Sequence, residues 1–132
     1  MLVKDPLVLI CDDDPEIVRV IESVVNGVGG VRTLAAYDGE EVLAFALKER
    51  PALLLLDLNI PKVSGPIVAR RLKADPETKD LPIVAVSALK NGPRLAKDAG
   101  CDGWLSKPFE IDELTLIVQA FLEGAKNPVS RS

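Results

Sequence analysis

Three short stretches of the chain, Leu7 to Cys11, Leu53 to Leu56 and Ile83 to Val86, are uninterrupted apolar runs, and each stops abruptly at a polar side chain: Asp12, Asp57 and Ser87. A strand with one wet face alternates apolar and polar residues, so runs without alternation mark strands covered on both faces. Helical patterns fill the intervals. Ile17, Ile21, Val24, Val25 and Val28 recur at helical steps behind Asp14-Pro15-Glu16, which supplies an N-cap, a proline for the first helical position and an early acid. Gly27, Gly29 and Gly30 end that helix, a strand is expected around Val31 to Ala35, and Asp38-Gly39-Glu40-Glu41 opens a helix carrying Val42, Phe45 and Ala46 before Pro51. Pro61 to Gly65 then forms a loop, ahead of a helix with Ile67, Val68 and Leu72 whose basic residues Arg70, Arg71 and Lys73 lie toward its C-terminal end. Gly103 to Ser106 makes a short strand, and Ile111, Leu114, Ile117, Val118, Phe121 and Leu122 give the last helix a wide apolar stripe. Strands alternating with helices in this way define an α/β fold: a doubly wound, five-stranded parallel sheet with right-handed crossovers and helices on both faces.

Composition narrows the function. A chain of 132 residues with 48% apolar content has material for one core, and a single domain over 1–124 with a flexible tail at 125–132 is expected. The net charge of -4 lacks the basic footprint of a nucleic-acid binder. The sequence contains no histidine, which rules out an imidazole-based triad, an imidazole zinc site and a phosphohistidine carried by these residues. Cys11 and Cys101 have no metal-ligand spacing and read as reduced thiols. Met1-Leu2-Val3-Lys4-Asp5-Pro6 does not build a signal peptide, and no apolar run approaches membrane-spanning length, so a cytoplasmic protein without membrane insertion is expected.

In a doubly wound sheet, ligands gather at the carboxyl ends of the strands. There the sequence places Asp12 and Asp13, Asp57, Ser87 and Lys107. A strand-ending Asp or Ser is often only the N-cap of the next helix, but the set together is hard to explain as caps. Carboxylates converging on one crevice repel each other by about 4 kcal/mol per pair at ~4 Å and an effective dielectric near 20, so a positive partner is required. A hard divalent cation such as Mg²⁺ suits an all-oxygen site that also receives a phosphate, and Lys107 adds a point charge for the same anion. Asp57 would then take a phosphoryl group as an acyl phosphate, with Ser87 hydrogen-bonding one of its oxygens.

From Leu7 to about Glu123 the chain resembles the receiver domains of bacterial two-component response regulators, through Leu9-Ile10-Cys11-Asp12-Asp13-Asp14-Pro15, Leu56-Asp57-Leu58-Asn59-Ile60-Pro61-Lys62-Val63-Ser64-Gly65, Val86-Ser87-Ala88 and Ser106-Lys107-Pro108-Phe109. The resemblance implies a flavodoxin-like sheet in the order 2-1-3-4-5 and phosphorylation at Asp57. It also implies direct Mg²⁺ ligation by Asp13, Asp57 and the backbone carbonyl of Asn59, with Asp12 acting through water and Mn²⁺ able to substitute. Ser87 matches the switch hydroxyl and Lys107 the phosphate-binding lysine, whose bond to Pro108 is usually cis in the family. Implied partners are a cognate histidine kinase or phosphotransfer protein and a downstream target protein, without direct nucleic-acid contact, for a monomer or weak dimer that catalyses only its own phosphorylation and dephosphorylation.

Two departures stand out. Trp104 occupies the place of the family's switch Tyr or Phe, and the larger indole either restricts inward rotation or merely covers an exposed edge. The stretch Leu89 to Ala99 is shorter than the usual fourth-helix region, and Gly92-Pro93 sets the start of that helix near Pro93. Asn59 and Leu89, two residues beyond Asp57 and Ser87, match positions that flank the path of the hydrolytic water in the family, and the resemblance implies that bulky Leu89 impedes that water. Three other readings compete. An aspartyl-nucleophile phosphatase wants an acid where Asn59 stands, a flavodoxin-like binder wants a Ser, Thr and Gly loop where Asp12-Asp13-Asp14 stands, and a degenerate receiver would lack part of the set.

Overall fold

The aliphatic runs form the middle of a sheet. The computed structural model describes residues 5–126. The elements are β1 (Leu7–Cys11), α1 (Pro15–Val28), β2 (Arg32–Ala36), α2 (Gly39–Glu49), β3 (Leu53–Asp57), α3 (Gly65–Ala74), β4 (Ile83–Ser87), α4 (Gly92–Asp98), β5 (Gly103–Ser106) and α5 (Ile111–Lys126). The strands pair in the order β2-β1-β3-β4-β5, all parallel. Every residue of β1, β3 and β4 is buried, whereas the edge strands β2 and β5 are only partly so.

Strand periodicity divides the interior in two. Leu9, Leu54, Leu56 and Ile83 face α2 and α3 through Val42, Ala46, Val68 and Leu72. Val8, Ile10, Leu53, Leu55, Val84 and Val86 face α1 and α5 through Val18, Ile21, Val25, Leu114, Val118 and Leu122. Deleting one such side chain to alanine costs roughly 2–5 kcal/mol, and this two-sided packing holds the strand ends in place.

Local chemistry sets the helix starts. The Asp14 side chain accepts from Glu16 N at 2.9 Å to begin α1. At α2, Asp38 Oδ1 accepts from Glu41 N while Glu41 Oε1 accepts from Tyr37 N, both at 2.8 Å, which closes the turn reciprocally. The first helix runs through Gly27 and stops at Gly29, whose φ of 84° disfavours any residue with a Cβ. The second strand is displaced by one residue from the expected Val31–Ala35, because Cys11 pairs with Ala36. The expected start of α4 at the Gly92-Pro93 pair is met, and the Lys107–Pro108 bond is cis. The last helix continues to Lys126, and the rest of the tail expected from 125 onward lies outside the described residues. No helix among the described residues is long and apolar enough to cross a membrane.

Candidate functional site

Parallel register brings the carboxyl ends of the three central strands to one level. Cys11 pairs with Leu56, Asp57 with Val86, and Ser87 with Ser106, so Asp12, Asp57, Ser87 and Lys107 follow one another across the sheet. Asp57 and Ser87 are the last residues of their strands, since the ladder runs one residue past each apolar run. Asp12, Asp57 and Ser87 are buried, whereas Asp13 is exposed at the rim.

The two buried carboxylates are held alike. Asp12 Oδ1 accepts from Asp14 N and Asp57 Oδ1 from Asn59 N, each at 2.9 Å, so each aspartate is fixed by the amide two residues on. Their second oxygens both meet one ammonium: Lys107 Nζ donates to Asp12 Oδ2 at 2.6 Å and to Asp57 Oδ2 at 3.0 Å. Asp12, Asp13 and Asp57 can each offer an oxygen within 4.8 Å of the others, an all-oxygen donor set that fits a hard divalent cation.

Burial pushes the Asp57 carboxyl above the usual range, while the Asn59 amide and Lys107 pull the other way. Burial works against the Lys107 charge, but the hydrogen bonds it donates to Asp12 and Asp57 outweigh it and hold the ammonium above its ordinary value. A lysine so placed stays protonated at neutral pH and offers a fixed positive charge beside Asp57.

A cavity of about 140 Å³ opens over these groups, lined by Asp57, Asn59, Ser87, Ala88, Leu89 and Lys107. That is the liquid volume of several waters at ~30 Å³ each, room for a small tetrahedral anion. Ser87 Oγ accepts from Leu89 N at 3.0 Å, which leaves its O–H free to donate. Lys107 N donates to Ser87 O at 2.9 Å and joins the ends of β4 and β5.

Of the residues singled out from sequence, Asp12, Asp13, Asp57, Asn59, Ser87 and Lys107 thus converge on one crevice. Trp104 does not. Paired with Ala85, it packs in a small cluster with Leu58, Ala85 and Ala96, and its ring covers Gly92, where a Cβ would overlap Cη2 and lie 2.5 Å from Cζ3. Sequence reasoning gave Lys107 an anion as its partner and missed its bond to Asp12, and it used Gly92 only as a helix boundary. A glycine at a helix start beside a strand aromatic was the one available hint of the second contact.

A parallel sheet with aspartates at neighbouring strand ends and a lysine reaching in from the edge strand defines a signalling module of the two-component class. Residues 8–119 match the response regulator receiver domain, and the chain belongs to that family. It is 37% identical over 119 residues to the DNA-binding dual master transcriptional regulator RpaA of Synechocystis, covering 89% of this chain but only 49% of that protein. Against the polar-differentiation response regulator DivK of Brucella anthropi, identity is 29% over 120 residues, covering 89% of this chain and 97% of DivK. Among solved structures, the receiver domain of a sensor histidine kinase from Pseudomonas aeruginosa, with a magnesium ion coordinated in its active-site cleft, aligns with a TM-score of 0.82 at 28% identity. That alignment covers 89% of this chain and 98% of the other.

Proposed function

We propose that this receiver accepts a phosphoryl group on Asp57 from a histidine kinase or phosphotransfer protein, and signals by contact with a target protein. The observation that carries the reading is the Lys107 ammonium shared between Asp57 and Asp12 beside a cavity that Ser87 also lines. An oxygen of the Asp57 carboxylate attacks phosphorus, the O–P bond forms as the donor's N–P bond breaks, and the imidazole leaves with the electron pair and takes a proton. The sequence has no histidine, so the donor imidazole lies outside these residues. Asp57, Asp13 and the Asn59 carbonyl would hold a divalent cation directly, with Asp12 acting through water. When bound, Mg²⁺, or Mn²⁺ in its place, neutralises the phosphoryl oxygens.

Lys107 turns from the carboxylates to the new phosphoryl group, and Ser87 donates its O–H to a phosphoryl oxygen. The charge added at Asp57 shifts the population of the Ser87 loop and of Trp104. Water attacking phosphorus returns inorganic phosphate and the free carboxylate, so the chain catalyses only its own phosphorylation and dephosphorylation. We place it in the cytoplasm as a monomer or weak dimer that touches neither nucleic acid nor membrane.

Incubation with acetyl phosphate and Mg²⁺ tests the reading. Intact mass is expected to rise by one phosphoryl group, and the gain is lost on chelation and in Asp57→Asn. Modification that persists in Asp57→Asn, or none in the parent, overturns the assignment, and rapid multiple turnover of acetyl phosphate favours a phosphatase instead.

A further inference from the structure

The loop that carries Asn59 is docked on a helix that takes no part in the acidic site. Gly39 is the first residue of α2, and its amide donates to Pro61 O at 3.1 Å. A Cβ at Gly39 would overlap the Val63 carbonyl oxygen and sit 2.6 Å from Val63 Cβ, so the β3–α3 loop rests directly on the bare backbone of this residue. The same loop is pinned at its far end. A Cβ at Gly65 would lie 2.7 Å from Asp57 O, and Gly65 N donates to Leu58 O at 3.2 Å.

Between the two glycines, Lys62 adopts a φ of 72°, a left-handed conformation that costs a residue with a side chain free energy and persists only where its surroundings hold it. Here they do. Its Nζ lies 3.5 Å from Asp38 Oδ2 and 3.7 Å from Glu40 Oε1, on the same first turn of α2. The Asp38 carbonyl also accepts from Cys11 Sγ at 3.7 Å, and Ala36, at the end of β2 two residues earlier, accepts from Asp12 N at 3.2 Å. The junction from the end of β2 into α2 therefore touches both the strand end that bears Asp12 and the loop that bears Asn59.

We propose that Gly39 is a positioning residue for the cation site: the missing side chain lets the β3–α3 loop seat against α2 and fixes the Asn59 carbonyl relative to Asp57 and Asp13. This rests on the reading that these three groups hold the cation. A methyl group at Gly39 forces the loop away from α2. In an ordinary helix Gly→Ala stabilises, so the expected effect runs against propensity.

The test is the affinity of Gly39→Ala for Mg²⁺ by calorimetry and for Mn²⁺ by electron paramagnetic resonance. Gly27→Ala, which has open space around its Cβ, is the control. Supporting groups behind metal ligands are worth about 10–100-fold in affinity, so Gly39→Ala is expected to bind at least about tenfold more weakly while Gly27→Ala binds as the parent does. A second measurement needs no variant. By reciprocity, a cation that the seated loop favours must in turn favour seating, so hydrogen exchange at the Gly39 amide is expected to slow when Mg²⁺ is added to the parent.

Parental affinity in a folded Gly39→Ala chain, or exchange at Gly39 that Mg²⁺ leaves unchanged, overturns the proposal, and the exchange result decides if the variant fails to fold. A parent that binds no Mg²⁺ refutes the cation site itself. A parent that binds while either Gly39 measurement fails refutes this inference alone.

Discussion

Replacing Lys107 with methionine keeps the length of the stem and removes the one charge shared by two buried acids. The side chains concerned are 20% (Lys107), 3% (Asp12) and 9% (Asp57) exposed, so solvent cannot fully take over from the ammonium. Carboxylate oxygens 4.8 Å apart, the outer limit of the cluster, repel by about 3.5 kcal/mol at an effective dielectric of ~20. Breaking a buried ion pair costs roughly 3–5 kcal/mol, and the partial exposure of Lys107 places the expected loss at the lower end, about 3 kcal/mol. Urea unfolding at pH ~7 in chelator, followed by the fluorescence of the single tryptophan, reads it directly. With a urea slope of ~1–3 kcal/mol per molar, the midpoint is expected to fall by about 1–3 M. The loss is electrostatic only if it can be reversed electrostatically. Millimolar Mg²⁺ should restore most of it, and so should Asp57→Asn in the Lys107→Met background, by more than Asp57→Asn changes the parent. An unchanged midpoint in chelator refutes the reasoning. A loss that neither Mg²⁺ nor Asp57→Asn reverses shows instead that the lysine acts through the packing of its stem.

Leu89, exposed at the mouth of the cavity, lines it with Asp57 and Lys107, so Leu89→Ala is expected to speed loss of the phosphoryl group several-fold by admitting water; an unchanged decay of phosphorylated protein shows that Leu89 is not the barrier. Burial, reinforced by Asp102 and opposed by Lys73, pushes the Cys101 thiol from 9.0 up to about 11. Its reaction with a disulfide reagent at pH ~8 is therefore expected to be roughly a hundredfold slower than that of a free thiol, and to keep rising with pH beyond 9. A rate that levels off near pH ~9 contradicts this assignment.

What the sequence made legible is whatever depends on neighbours along the chain. Short continuous runs such as Leu53 to Leu56, set between helical patterns, read as strands covered on both sides, and Asp14-Pro15-Glu16 carries its own helix start. The strand-end acids were equally visible, because each follows its run directly. Contacts set by twist and register were not. Lys107 lies 95 positions from Asp12, and nothing in the spacing says that its ammonium sits closer to Asp12 than to Asp57. Gly39 is a different kind of omission. In Asp38-Gly39-Glu40-Glu41 the glycine reads as part of a helix start, and only the placement of Val63 against it shows why a side chain there would matter.

The indole makes a local contact that residue type alone does not reveal. Trp104 could turn inward or cover an edge; in the structure it is half-buried and lies on Gly92 at the start of α4. Ser87 Oγ accepts from Leu89 N at 3.0 Å, and Leu89 O accepts from Gly92 N at 3.0 Å. If Ser87 moves toward a phosphoryl group, it must either release Leu89 or draw it along. Drawing it along pulls on Gly92, the residue that the indole covers. Because the ring occupies the space of a Gly92 side chain, a shift of the first turn of α4 toward β5 meets the indole. A displacement of Ser87 that reached Gly92 would therefore be felt by Trp104, through the hydrogen bonds of Leu89 and the contact of the ring with Gly92.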